Sequence, residues 1–343
     1  MIAAAALVGG CSVSGAPAST SSALPDQPAP PIPTAAPTRA IPIPTAAPPP
    51  APSATPLPDY GPLAAELEAL RQAHDFNLGI GFVDIQTGQT VSVNGMGRFY
   101  ALSTFKGPLA AYYLWLLERG QIVETPGDRE RITAMLAVSS NPDTTCIIKR
   151  VGGLAGFNDW LADQGMTRAN NFVYGWDSWV CYEDNSAYMA KPDERYRLGD
   201  AALGLPGDGA LLACPDVPCN KAFAPLELAA LYARLYHGEV LNSADTLTWL
   251  GWMEKTPEEA ALLAGLPPDA AARGYIKDGY AREGEFFPVN FFHEAGVLET
   301  SRGAFALAVF MQGNPDWTGE EILAETAGIV YQHFQAAHPV PGE

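Results

Sequence analysis

The sequence predicts an α+β protein of the three-layer α/β/α type: a five-stranded antiparallel sheet flanked by helices, with an inserted all-helical lobe. Three observations point there. Strand-like segments occur only near the two ends of the globular part. The stretches between them have helical periodicity. A helical stretch opens the unit and an amphipathic one closes it.

Taken in order, Leu63 to His74 repeats apolar residues at helical spacing. Leu78–Ile85 and Thr90–Asn94 read as two strands around the turn Gln86-Thr-Gly88. Phe99 to Leu117 reads as a mostly apolar helix, in which Pro108 removes one N–H bond and is expected to kink the second turn. Arg129–Val138, Thr144–Arg150 and Leu154–Gln164 are helical, with Ser139-Ser140-Asn141 closing the first of them. Residues 167–222 are rich in Gly, Pro, Asp and Asn and read as irregular. Ala224–Tyr236, Ser243–Met253 and Pro257–Leu263 are helical again. Gly274–Lys277, Phe291–Leu298 and Ala304–Gln312 supply three more strands, and Glu320–Ala336 the closing helix. The terminal thirds form the sheet, residues of about 120–265 form the lobe, and the site is expected at the interface of the two.

The chain carries 38 acidic and 20 basic residues, a net charge of −18. A phosphate backbone wants clustered Lys and Arg, and none are clustered here, so nucleic acid is not a partner. Anionic lipid likewise has no basic patch to hold.

The first eleven residues end Val8-Gly-Gly-Cys11 and look like the close of a bacterial lipoprotein signal. The run is too short to span a bilayer and lacks a basic start, so the true start is expected upstream. Cys11 is the expected lipidation site, which places the protein in the bacterial cell envelope, outside the cytoplasm, tied to a membrane. N-terminal mass spectrometry of membrane-extracted protein tests this; an unmodified Cys11 in soluble protein overturns it. Residues 12–58 form a linker: fifteen of the 43 positions from 16 to 58 are Pro, and Pro31-Ile-Pro-Thr-Ala-Ala-Pro37 recurs from Pro42 to Pro48. At about 3.1 Å per residue in polyproline form, its reach is on the order of 130 Å. Residues 59–343 are the globular domain, expected to be monomeric.

With Cys11 set aside, Cys146, Cys181, Cys214 and Cys219 are an even set for an oxidising compartment. Cys214 with Cys219 would close a small loop and leave Cys146 for Cys181; three pairings are open. The five His have no familiar metal spacing, and no metal or cofactor is implied.

Three short stretches carry the chemistry. Ser103-Thr-Phe-Lys106 puts a hydroxyl and an amine one helical turn apart. Such an amine can take the proton that a weak serine nucleophile must lose. Ser139-Ser-Asn141 follows in the helical middle, and Lys277-Asp-Gly279 on the first strand after it. In order and context these stretches resemble the class A β-lactamase and penicillin-binding superfamily of serine acyl-transferring enzymes. That family has Ser-x-x-Lys at a helix start, Ser-x-Asn in the helical lobe and Lys-Thr-Gly or a relative on a strand. Val151-Gly-Gly153, Ala224-Pro-Leu-Glu-Leu and His293-Glu-Ala-Gly-Val-Leu298 are similar to its flanking text, and the resemblance covers about residues 62–337.

The resemblance implies roles. Ser103 would be acylated. Lys106 would act as base or proton relay, which requires a lowered amine pKa. Ser139 would pass a proton to the leaving nitrogen, and Asn141 would hold the substrate's side-chain amide. Lys277 would attract a substrate carboxylate and help keep Lys106 neutral. Asp278 and Gly279 would line the binding strand. The N–H groups of Ser103 and Tyr280 would form the oxyanion hole. Trp176, Trp179 and Tyr182 are read as packing residues and His293 as structural.

Two departures bear on function. Asp278 stands where the family usually has a hydroxyl; a carboxylate there repels a substrate carboxylate, unless it points away or neutralises Lys277. The family's Glu-x-x-Leu-Asn loop, which activates the deacylating water, has no counterpart string between residues 165 and 200, where Asp177, Glu183 and Asp184 are candidates by position only. The expected activity is a β-lactamase-like serine hydrolase opening β-lactam amides, with a β-lactam or peptidoglycan-derived small substrate. The alternatives are a D-Ala-D-Ala peptidase or penicillin-binding protein, and a non-catalytic binding or sensor module.

Overall fold

The structure is a computed structural model that describes residues 57–167, 180, 181, 183, 186, 187, 213, 214, 217, 218, 222–282, 290–313 and 319–339. Cys11, the linker, Trp176, Asp177, Trp179, Tyr182, Asp184 and Cys219 lie outside these residues, as does the side chain of Cys214.

The chain runs α1 (Gly61–Gln72), β1 (Asn77–Asp84), β2 (Thr90–Val93) and β3 (Phe99–Tyr100). A 3-10 turn over Leu102–Phe105 leads into α2 (Lys106–Glu118), α3 (Asp128–Ala137), α4 (Asn141–Arg150) and α5 (Leu154–Asp163). Five two-residue strands follow: β4 (Val180–Cys181), β5 (Ser186–Ala187), β6 (Ala213–Cys214), β7 (Val217–Pro218) and β8 (Ala222–Phe223). Then come α6 (Pro225–Tyr236), α7 (Ser243–Met253), β9 (Glu254–Lys255), α8 (Ala261–Ala264), β10 (Arg273–Ala281), β11 (Asn290–Thr300), β12 (Gly303–Gly313) and α9 (Gly319–Ala337). No described helix is long and apolar enough to cross a membrane.

The main sheet has the order β2-β1-β12-β11-β10-β9. Five of these are the expected strands. The sixth, β9, pairs only Lys255 with Gly274 and Glu254 with Tyr275, too short to carry a period-two signal in the sequence. From Ile276 onward β10 is an edge among the described strands. That open edge positions the site.

Each face of the sheet buries its own core. Leu63 and Leu67 of α1, Leu262 of α8, and Ile322, Leu323 and Phe334 of α9 pack with Ile80, Phe82, Ile276 and Leu307 of the sheet. The other face packs Tyr275, Val297 and Phe310 with α2, α6 and the lobe helices. Alternation along β10 sorts its side chains: odd positions face the lobe and even positions face α8 and α9. Glycines let α6 lie close. A Cβ on Gly81 would meet the Leu226 backbone nitrogen at 2.4 Å. Helix α6 therefore belongs to the layer on the sheet, although its sequence lies within the stretch read as the lobe.

Three local expectations are corrected. Helix α2 begins at Lys106, so Pro108 sits not in its second turn but in its first, where the N–H it lacks has no acceptor within that helix. Helix α3 ends at Ala137, and Ser139-Ser140-Asn141 starts the next helix instead of closing this one. Of the stretch Pro257–Leu263, the first three residues are a turn and Ala260 is the extended N-cap of the helix that starts at Ala261.

Candidate active site

Ser103 sits on the 3-10 turn, half-buried, with the Lys106 N–H donating to its carbonyl. In a 3-10 turn positions i and i+3 eclipse, so the geometry aligns Ser103 with Lys106 more closely than an α-helix would. Leu102, just before the serine, has φ 46°, left-handed for a branched residue. The turn packs on the β10 edge: a Cβ on Gly279 would lie 3.1 Å from the Ser103 nitrogen and 3.0 Å from the Leu102 Cβ. Any side chain at 279 would push the serine away, a physical reason for glycine at that position.

Lys106 is fully buried. Its Nζ donates to the Ser139 carbonyl at 2.6 Å, to Ser139 Oγ at 3.1 Å and to Asn141 Oδ1 at 2.8 Å. The acceptors gather because the chain turns sharply between α3 and α4, with Ser139 at φ 55°. Ser140 fixes the turn as the N-cap of α4: its Oγ accepts from the Asp143 N–H at 3.4 Å and donates to the Asp143 carboxylate. The cap is thus Ser140, and Asn141 is left to hold Lys106. A disulfide from Cys146 to Cys181 ties α4 to β4, the pairing that the sequence left open among three.

Lys277 points to the lobe face and is fully buried. Its Nζ donates to Asp278 Oδ1 at 2.6 Å and to the Asp278 carbonyl at 3.0 Å. Burial pulls the ammonium's pKa down, against the pull of the Asp278 carboxylate. Burial raises that of Asp278, but Lys277 outweighs it and holds the carboxyl below its ordinary range. The second cation acting on Lys277 is Lys255, whose Nζ donates to the Ala137 carbonyl at 3.0 Å. Sequence reasoning missed Lys255. Nothing local marks it, because its partner is more than a hundred residues away.

On the α9 face the sequence also missed Glu294. Its carboxylate accepts from the Ala261 and Leu262 N–H groups at the start of α8, at 2.9 and 2.8 Å, and from the Tyr280 hydroxyl. Burial pushes its pKa up to about 7. A cavity of about 430 Å³ beside Tyr280, lined by Glu258, Glu259, Glu320 and Glu321, opens on this face, away from Lys106. His293, the next residue along β11, faces the lobe side. Its Nε2 pairs with the Tyr100 carbonyl and its Nδ1 accepts from the Met311 N–H. Burial brings its pKa down to about 4, which suits a structural residue. Of the three candidate loop carboxylates, Glu183 is the described one, and its side chain is spent on an ion pair with Arg131 at 2.8 Å.

The structure thus brings Lys106, one turn after Ser103, onto Ser139 and Asn141, and sets Gly279, with Lys277, Asp278 and Tyr280 beside it in the strand, against the serine backbone. The arrangement offers a hydroxyl, an amine and a second hydroxyl in sequence, next to a strand edge that pairs with no described strand beyond Tyr275.

Comparison with known proteins bears on the fold. The family model described as the beta-lactamase enzyme family matches residues 62–125 and 129–334. Among solved structures, a PBP-A mutant held as an acyl-enzyme with penicillin G superposes with a TM-score of 0.61 at 19% identity, covering 82% of this chain and 100% of that one. The TLA-1 extended-spectrum beta-lactamase gives 0.60 at 17% identity, with 79% and 98% coverage. A beta-lactamase from Chitinophaga pinensis gives 0.56 at 16% identity, with 80% and 97% coverage. A search of the curated proteins finds no match. The fold is shared with these structures, and by the span of the family match this chain belongs to the beta-lactamase enzyme family.

Proposed function

We propose that this chain is a serine hydrolase of the class A β-lactamase type, opening β-lactam amides through an acyl-enzyme on Ser103. The observation that carries the reading is the position of the Lys106 side-chain nitrogen. It is buried one turn from Ser103 and 3.1 Å from Ser139 Oγ. In the acylation step Ser103 Oγ forms a bond to the carbonyl carbon. Its proton passes to Lys106 acting as the neutral amine, the C–N bond breaks, and the leaving nitrogen takes that proton back from Lys106 through Ser139. The N–H groups of Ser103 and Tyr280 receive the oxyanion, and the Asn141 amide N–H groups, with Oδ1 turned to Lys106, face the acyl side chain. Water then releases the acid and frees Ser103.

A penicillin-binding mode, in which the acyl-enzyme accumulates, is favoured by two observations. The sequence has no Glu-x-x-Leu-Asn string, and Glu183 is engaged with Arg131. The test sets the purified chain against fluorescent penicillin and nitrocefin, beside Ser103→Ala. Turnover that disappears in Ser103→Ala supports the hydrolase. Stable label without turnover moves the reading to a penicillin-binding protein. Labelling or turnover that persists in Ser103→Ala removes Ser103 as nucleophile.

A further inference from the structure

Resting on the reading of Ser103 as an acylated nucleophile, we infer that Asp278 selects the substrate class: acyl amides and esters whose group at the β10 edge is uncharged or cationic, in preference to carboxylates. The strand that receives substrate carries one buried lysine aimed at the lobe side, Lys277, and its Nζ lies 2.6 Å from Asp278 Oδ1. The two members of this pair differ in what they show to solvent. The lysine side chain is 0% exposed and the aspartate 25%. An arriving ligand therefore meets the anion of the pair and not the cation. A carboxylate seeking Lys277 must displace Asp278 from it, leaving that carboxylate half-desolvated beside another.

Among the described residues, the two other lysines of the site are already engaged. Lys255, the other basic group acting on Lys277, is buried with its Nζ on the Ala137 carbonyl. Lys106 is buried with its Nζ on Ser139 and Asn141. Opposite Asp278 in the sheet register, and on the same face of the sheet, stands another acid, Glu294. A neutral amide or ester group keeps the Lys277–Asp278 pair intact and can donate to the exposed carboxylate oxygen. A cationic group does the same with added attraction.

The experiment compares nitrocefin with its methyl ester on the full chain and on Asp278→Thr and Asp278→Asn. Ser103 acylation is read by intact mass and ring opening by absorbance. The readout is the ratio of the two substrates on one protein, which does not depend on how much of a variant is folded. The wild type is expected to favour the methyl ester by about tenfold, and both variants to shift the ratio toward the free acid by about the same factor or more. A wild type that favours the free acid, or a ratio unchanged in both variants, overturns the inference while leaving Ser103 as the nucleophile. Acylation of Ser103 by neither compound in any of the three proteins overturns that underlying reading, and the inference with it.

Discussion

The two buried lysines of the site are held in opposite ways. Around Lys106 the Nζ acceptors at Ser139 and Asn141 are a carbonyl, a hydroxyl and an amide oxygen, none of them charged. Around Lys277 the acceptors are the carbonyl and the charged carboxylate of the next residue. Uncharged oxygens can hold an amine in either protonation state, whereas a carboxylate favours the ammonium. On the proposed reading the difference implies a division of labour: proton traffic at the turn between α3 and α4, and fixed electrostatics at the β10 edge.

Replacing each lysine by Met breaks the comparison most directly. Lys106→Met is expected to slow Ser103 acylation by about 1,000-fold, the scale of a lost proton-transfer group. Lys277→Met, measured with the neutral ester, is expected to cost about tenfold, because its partner Asp278 can rehydrate. Rates from time-resolved intact mass decide it. Equal losses for the two variants would falsify the division.

A smaller effect sharpens the same lesson one strand away. His293 and Glu294 are neighbours on β11, buried on opposite faces, and their hydrogen-bond partners named above are uncharged. Each is driven toward its neutral form, His293 from 6.5 down to about 4 and Glu294 from 4.5 up to about 7. The signs oppose. A histidine whose pKa falls on folding makes stability drop as pH falls from 6.5 toward 4. A carboxyl whose pKa rises on folding makes stability drop as pH rises from 4.5 toward 7. In the wild type the two slopes largely cancel between pH 4.5 and 6.5. Glu294→Gln removes one of them. The stability difference between variant and wild type is expected to move in the variant's favour by about 3 kcal/mol from pH 4.5 to 7. Urea unfolding at several pH values measures it, and a difference that does not change with pH ends the argument for Glu294.

Much of the fold was legible because it rests on local periodicity. β1, β10, β11, β12 and α9 all lie where alternation or helical spacing puts them. The site was legible where its chemistry is written in short strings, at Ser103-x-x-Lys106, Ser139-x-Asn141 and Lys277-Asp-Gly279. What was not legible depends on partners far apart in the chain. Lys255 reaches Ala137, Glu294 reaches the start of α8, and β9 pairs for two residues only. The turn at Ser139 was misread for a related reason. Its left-handed backbone, with Lys106 Nζ donating to its carbonyl, is a tertiary arrangement that local propensity does not foretell.

The short reach of β9 has a further consequence. Beyond Tyr275, β10 pairs with no described strand on one side, so among the described residues that edge carries no ladder. The surface that must stay bare to admit a ligand is also the one through which two copies would stick together. Crowded preparations would then lose competence and solubility at the same time, and a small molecule seated on that rim would protect both.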